Sequence, residues 1–184
     1  MHIPIAQPSL GNEESDAVLA VLASGMIAQG PVTAAFEEEF AAYCGVPHAV
    51  AVSNGTTALH AALLAAGVGP GDEVIVPAFT FFATASSVSM CGARPVFADV
   101  DAATATIDPA DILAKVTPKT KAVIGVHLYG QPCDAGAIRK ICDDRGLVFI
   151  EDAAQAHGAE YHGRRTGALG DLACFSFYAT KNLA

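Results

Sequence analysis

Short, almost unbroken apolar runs alternate with helix-like segments along most of the chain, and this alternation restricts the fold more than any other feature. The strand-like runs are Ala49–Val52, Glu73–Val76, Pro95–Ala98, Ala122–Val126, Leu147–Ile150 and Ala173–Phe177. Several lack the polar break at every second residue that marks a half-exposed strand, so they predict strands covered on both faces. The helix-like segments are Glu13–Ala23, Val32–Tyr43 with Pro31 in its first turn, Thr57–Ala66, Phe82–Cys91, Pro109–Val116 and Ala135–Asp144. Thr84, Ser86, Ser87 and Ser89 make Phe82–Cys91 the weakest helix former of the set. Strands alternating with helices imply βαβ units joined by right-handed crossovers. The expected fold is therefore α/β, three layers (αβα) around a mostly parallel central sheet. Gly67-Val68-Gly69-Pro70-Gly71-Asp72 reads as a turn between helix and strand, not a domain linker.

Composition narrows the function classes. A chain of 184 residues that is 52% hydrophobic can fill a real core, and it is too apolar for intrinsic disorder. With 10 Lys+Arg against 19 Asp+Glu, a net charge of −9, it has no basic stripe for nucleic acid. Its most apolar stretches, Ala17–Ala28 and Ala58–Val68, fall below the roughly 18–20 residues that a membrane span demands. Met1-His2-Ile3-Pro4 has neither the basic start nor the apolar middle of a secretion signal. The five cysteines, Cys44, Cys91, Cys133, Cys142 and Cys174, form no CxxC pair and read as reduced, mostly buried thiols of a cytoplasmic protein. The last residues, Ser176 to Ala184, follow a strand with no closing helix, so a truncated domain is expected.

Open α/β sheets gather ligands beyond the carboxyl ends of their strands, and that rule selects candidate residues without any motif search. After the first run, Ser53-Asn54-Gly55-Thr56-Thr57-Ala58 opens a helix, where free backbone N–H groups and hydroxyls suit an anion, most often phosphate. The same residues would also serve as a plain helix cap. No Gly-Lys-Ser/Thr follows, and Gly67, Gly69 and Gly71 precede a strand, so neither a P-loop nor a dinucleotide fingerprint is present. After the second run, Pro77-Ala78-Phe79-Thr80-Phe81-Phe82 offers an aromatic to cover a planar ring, or a core contact. After the fifth, Glu151 and Asp152 place at least one acid at the cleft, where a protonated ring nitrogen would supply its cation, or else on a surface loop. After the sixth come Ser176 and Lys181, a lysine suited to nucleophilic or Schiff-base chemistry if desolvated. An anion cradle, an aromatic plate, an acid and a lysine at one sheet edge are the parts that hold pyridoxal 5'-phosphate (PLP). Glu151, Asp152, His157, Glu160 and His162 crowd one segment, but without HExxH or comparable spacing no metal ligands are expected there. His127, past the fourth run, either lines the cleft or holds structure by hydrogen bonding.

Taken in order, the segments resemble the N-terminal part of the DegT/DnrJ/EryC1/StrS aminotransferases. The resemblance is carried by Gly30-Pro31, Ser53–Leu59, Gly69–Val74, Pro77–Thr84, His127–Pro132, Glu151–Gly158, Gly167–Asp171 and, most specifically, Phe175-Ser176-Phe177-Tyr178-Ala179-Thr180-Lys181. It implies the large domain of an aspartate aminotransferase-like, PLP-dependent transferase, truncated. An N-terminal arm and helix would occupy residues 1–30, and an incomplete PLP-binding domain 31–184. A C-terminal strand and a smaller domain would be missing, and the piece alone would be inactive. By the same resemblance Lys181 condenses with the cofactor aldehyde and Asp152 pairs with the ring nitrogen, both catalytic. Gln155 approaches the ring hydroxyl, and Phe81 stacks on the ring. Gly55, Thr56, the Thr57 backbone and Ser176 hold the phosphate. The implied reaction is ping-pong transamination of a keto sugar, usually nucleotide-linked, with an amino-acid donor such as L-glutamate, in a homodimer. Lysine rather than histidine at position 181 favours transamination over the dehydrating branch. Two other readings stand beside it: a non-catalytic, truncated or regulatory member of the fold, and a metal-dependent hydrolase using His157 and His162.

Overall fold

A computed structural model describes residues 7–183. The segment Met1-His2-Ile3-Pro4, on which the absence of a leader was argued, and Ala184 lie outside the described residues. Helices α1 (Asn12–Ser24), α2 (Pro31–Cys44) and α3 (Gly55–Ala65) come first, followed by β1 (Glu73–Pro77), α4 (Ala83–Met90), β2 (Arg94–Ala98) and α5 (Pro109–Lys115). Then come β3 (Thr120–Val126), a single 3-10 turn (Leu128–Gly130), α6 (Ala135–Arg145), β4 (Val148–Asp152), a short hairpin of β5 (Glu160–Tyr161) and β6 (Arg164–Arg165), and β7 (Leu172–Cys174). The central sheet runs β2-β1-β3-β4-β7 with every pairing parallel.

Local chemistry sets the boundaries of the helices. Asn54, Asp108 and Asp134 cap α3, α5 and α6 through side-chain oxygens that accept from Thr57 N (2.9 Å), Ala110 N (2.8 Å) and Ala137 N (3.1 Å). Pro31 and Pro109 occupy first helical turns, where a missing N–H is harmless. The strands then sort their side chains by the two-residue period. Val74, Val76, Ile124 and Ile150 face α3 and α4, against Leu59, Leu63 and Val88. Ile75, Val123 and Phe149 face α5 and α6, against Ile112, Ile138 and Cys142. Burial of each such side chain contributes about 1.5–3 kcal/mol, and the two clusters hold three layers together. The same parity sends the neighbours Glu151 and Asp152 to opposite faces of the sheet.

The sequence reading needs two corrections. Ala49–Val52 is not a strand. Among the described residues it has no ladder partner, Val50 is 78% exposed, and the Ala51 amide donates instead to Glu37 Oε1 at 2.7 Å. An apolar run becomes a strand only where a neighbour offers its backbone. The expected strand Ala173–Phe177 shortens to Leu172–Cys174, because Phe175 and Phe177 leave the sheet to pack on α2. Phe175 lies edge-on to Phe40 (centroids 4.9 Å apart), and Phe177 to Phe36 (5.2 Å).

Candidate active site

Beyond the carboxyl ends of β3, β4 and β7, and against the N-termini of α3 and α4, lies a cavity of about 320 Å³. Gly55, Thr56, Phe81, Asp152, Gln155, Ser176 and Lys181 all line it, although the chain between the first and last of them spans most of the molecule. Thr57 does not. Its amide donates to Asn54 Oδ1 at 2.9 Å and is spent on the helix cap. The amides of Gly55 and Thr56 have no acceptor among the described residues and remain open at the helix terminus. Ser176 faces them closely. A Cβ placed on Gly55 would meet Ser176 Cβ at 2.9 Å, so only glycine lets the helix terminus and this serine share one pocket. An anion seated there would meet two amides, a hydroxyl and the positive end of the α3 dipole.

Asp152 stands at the end of β4, 6% exposed. Thr84 Oγ1 donates to its Oδ2 at 2.8 Å and Ala154 N to its Oδ1 at 3.3 Å. Burial pushes its carboxyl above the ordinary aspartate range, against the opposing pull of these donors and of Lys181. Among the described residues it forms no ion pair, and neither does Lys181. A buried carboxylate with hydrogen bonds but no countercharge is a receptor for a cation. The cavity also holds Cys174, whose thiol is pushed up to about 12 by burial and by the neighbouring Asp152 and Glu151. It stays protonated and unreactive.

Gln155 is oriented by its neighbour. Tyr129 N donates to Gln155 Oε1 at 2.9 Å, so the Gln155 amide group presents its Nε2 donors elsewhere. Tyr129 sits in the left-handed region at φ 54, a conformation that costs about 1 kcal/mol in a non-glycine residue. Phe81, 67% exposed, takes no part in the core and lines the cavity.

Glu151, the other acid of the pair, points to the opposite face and is fully buried. It accepts from His127 Nε2 (2.9 Å) and from the amides of Gly167 (2.9 Å), Leu169 (2.8 Å) and Gly170 (2.7 Å). Burial works to raise its carboxyl, but these donors outweigh burial and hold it below the usual glutamate range. His127 is also fully buried, and its Nδ1 accepts from Cys133 N at 3.1 Å. Because a backbone amide can only donate, that nitrogen carries no proton and Nε2–H is the donor to Glu151. The imidazole is neutral, with its tautomer fixed. Of the two roles open to His127 in the sequence, the structure selects the structural one.

The five residues considered for a metal are dispersed. Glu151 is engaged as above, Asp152 faces the other side, and His157 lies between Phe175 and Phe177 with its Nδ1 2.9 Å from Asn182 Oδ1. Among the described residues no group of three or more His, Cys, Asp or Glu is arranged to hold a metal ion. Sequence reasoning overlooked the Thr80 and Thr84 hydroxyls. The only signal for them was their spacing of four residues at a helix start, and nothing in the sequence tied that pair to Asp152.

The DegT/DnrJ/EryC1/StrS aminotransferase family model matches residues 8–184. GDP-perosamine synthase of Caulobacter vibrioides is 51% identical over 181 residues, 98% of this chain and 49% of that protein. The dTDP-3-amino-3,4,6-trideoxy-alpha-D-glucose transaminase of Streptomyces venezuelae is 51% identical over 183 residues, 100% of this chain and 48% of that one. A protein described as a sugar aminotransferase from Streptococcus pneumoniae, solved in its PLP form, superposes with a TM-score of 0.97 at 34% identity, covering 100% of this chain and 51% of that chain. This chain thus spans about half the length of the curated relatives it matches. With its parallel sheet, its cavity at the strand ends and this match along nearly its whole length, the chain belongs to the DegT/DnrJ/EryC1/StrS aminotransferase family.

Proposed function

We propose that residues 31–184 form most of the PLP-binding domain of an aminotransferase that aminates a keto sugar, nucleotide-linked, with an amino acid such as L-glutamate as donor, and that residues 1–30 form an arm and helix ahead of it. The observation that carries this reading is Asp152, a buried carboxylate without a countercharge, in one cavity with Lys181 and the open amides of α3. The names of two relatives support the sugar class: one is a GDP-perosamine synthase and the other a dTDP-3-amino-3,4,6-trideoxy-alpha-D-glucose transaminase. The residues fit the cofactor. The Gly55 and Thr56 amides and the Ser176 hydroxyl would receive its phosphate, Phe81 would cover its ring, and Gln155 Nε2 would donate to its ring hydroxyl. Thr57 would contribute through the cap that aims the α3 terminus rather than through its own amide. PLP, when bound, supplies an electron sink for a carbanion beside the nitrogen being transferred. Asp152 would keep the ring nitrogen protonated, which sustains that sink. The Lys181 amine would hold the cofactor until a donor amine replaces it, then take and return a proton at the substrate carbon.

The whole protein works, in this reading, as a cytoplasmic homodimer. The free, buried cysteines suit a reducing compartment, and among the described residues no helix is long and apolar enough to cross a membrane. The test is cofactor capture. PLP added to the whole protein should give a yellow species that borohydride converts to a stable adduct, located by mass spectrometry on Lys181, and Lys181→Ala should abolish it. An adduct on another lysine, or none, overturns the proposal. Retained capture without amino transfer to any keto sugar would instead favour a non-catalytic member of the fold.

A further inference from the structure

We infer that Thr84 is the positioning residue that holds Asp152 ready for a cationic ring nitrogen, through a hydroxyl chain of fixed polarity running from Thr80 to Thr84 to Asp152; the inference rests on the PLP reading above. Thr84 is fully buried, with Oγ1 2.8 Å from Asp152 Oδ2 and 2.9 Å from Thr80 Oγ1. An ionised carboxylate can only accept, so the single Thr84 proton is given to Asp152. The Thr80 hydroxyl must then donate to Thr84. Each O–H dipole points its positive end toward the carboxylate, and the bonds reinforce one another. Thr80 also lines the cavity, so the chain begins at the site it serves.

The neutrality of these donors matters. A lysine or arginine in place of Thr84 would satisfy the charge on Asp152 and remove any demand for a ligand cation. A hydroxyl stabilises and aims the carboxylate while leaving its net charge unspent. The other donor, Ala154 N, is more distant at 3.3 Å and meets the other oxygen, so Thr84 provides the shorter of the two contacts. Without it the carboxyl would lose the donor that aims Oδ2 and that opposes the effect of burial, and its preference for a ring nitrogen over a ring C–H would fall.

The test compares equilibrium binding of PLP with that of its 1-deaza analogue, which keeps the aldehyde and the phosphate but lacks the ring nitrogen. It uses the whole protein with threonine, valine or serine at position 84. Wild type should prefer PLP. Thr84→Val, nearly isosteric, should cut that preference about tenfold, and Thr84→Ser should restore most of it. Thr80→Val, which removes only the outer hydroxyl, should cut it about two- to threefold and serves if Thr84→Val fails to fold. A folded Thr84→Val protein with the wild-type preference, or loss of affinity for both ligands in equal measure, overturns the inference and leaves the PLP reading intact. A wild-type protein that binds neither ligand, or both equally, overturns both.

Discussion

At the scale of single residues, the adjacent acids Glu151 and Asp152 have opposite electrostatics because alternate strand positions face opposite layers. Asp152 titrates higher folded than unfolded, so its ionisation opposes the fold of the cofactor-free protein as the pH rises above the ordinary aspartate range. Asp152→Asn should therefore raise the melting temperature of the cofactor-free protein at pH 7.5, with the gain vanishing near pH 4, while PLP affinity falls about 10–100-fold. Thermal scans at the two pH values and a PLP titration check both halves. Glu151 shows the reverse behaviour. Its carboxyl is held low by His127 and three amides, so the stability it contributes is present above the ordinary glutamate range and is lost as the pH falls through its folded value. Glu151→Gln would turn an NH₂ group toward donors that need an acceptor, and should cost about 3 kcal/mol in urea unfolding at pH 7. It should also flatten the acid limb of the stability profile, because the titrating group is gone.

At the scale of elements, α3 serves packing and chemistry with different ends. Leu59 and Leu63 anchor its body in the core, while its first turn lies open to the cavity. Asn54 joins the two tasks by capping the helix through the Thr57 amide. Asn54→Ala should cost about 1 kcal/mol of stability and Asn54→Asp much less, because aspartate retains the cap. Denaturant titration of the pair distinguishes a lost cap from a general disturbance of the loop. The loop of residues 166–171 is organised in the same economical way around Glu151. Gly170 is required there, since a Cβ would sit 2.7 Å from Phe149 O. That loop delivers the chain into β7, and β7 sets Ser176 and Lys181 at the cavity.

At the scale of the whole molecule, much apolar surface is uncovered. Helix α1 buries no residue, and its Val18, Leu19 and Leu22 are each about 60% exposed. Phe79 and Phe82, on either side of the cavity-lining Phe81 in sequence, and Tyr178 stand exposed, as do Val50 and Val52. Patches of this kind mark surfaces built to be covered. The 184-residue chain on its own should bind the dye ANS and self-associate without limit as concentration rises, whereas the whole protein should bind no dye and go no further than a dimer. Sedimentation velocity across a hundredfold range of concentration checks this, and a monodisperse, dye-silent 184-residue chain would count against it.

The amino-acid sequence alone determined the layer order and, to within about two residues, the helix limits, because both follow from local chemistry: two-residue and helical periods and prolines in first turns. It also marked the sheet edge where Phe81, Ser176 and Lys181 come together, since strand ends in a parallel sheet all point one way, but it brought Gly55 there through an expected strand that does not form. It could not decide which of Glu151 and Asp152 turns inward, because that depends on strand phase, nor whether His127 faces the cavity. Nor could it tell that the Thr57 amide is consumed in a cap, that Thr84 reaches Asp152 across 68 positions, or that Ala49–Val52 lacks a strand partner. Each of these is settled by which distant backbone or side chain arrives beside it, and only the packed tertiary structure supplies that neighbour.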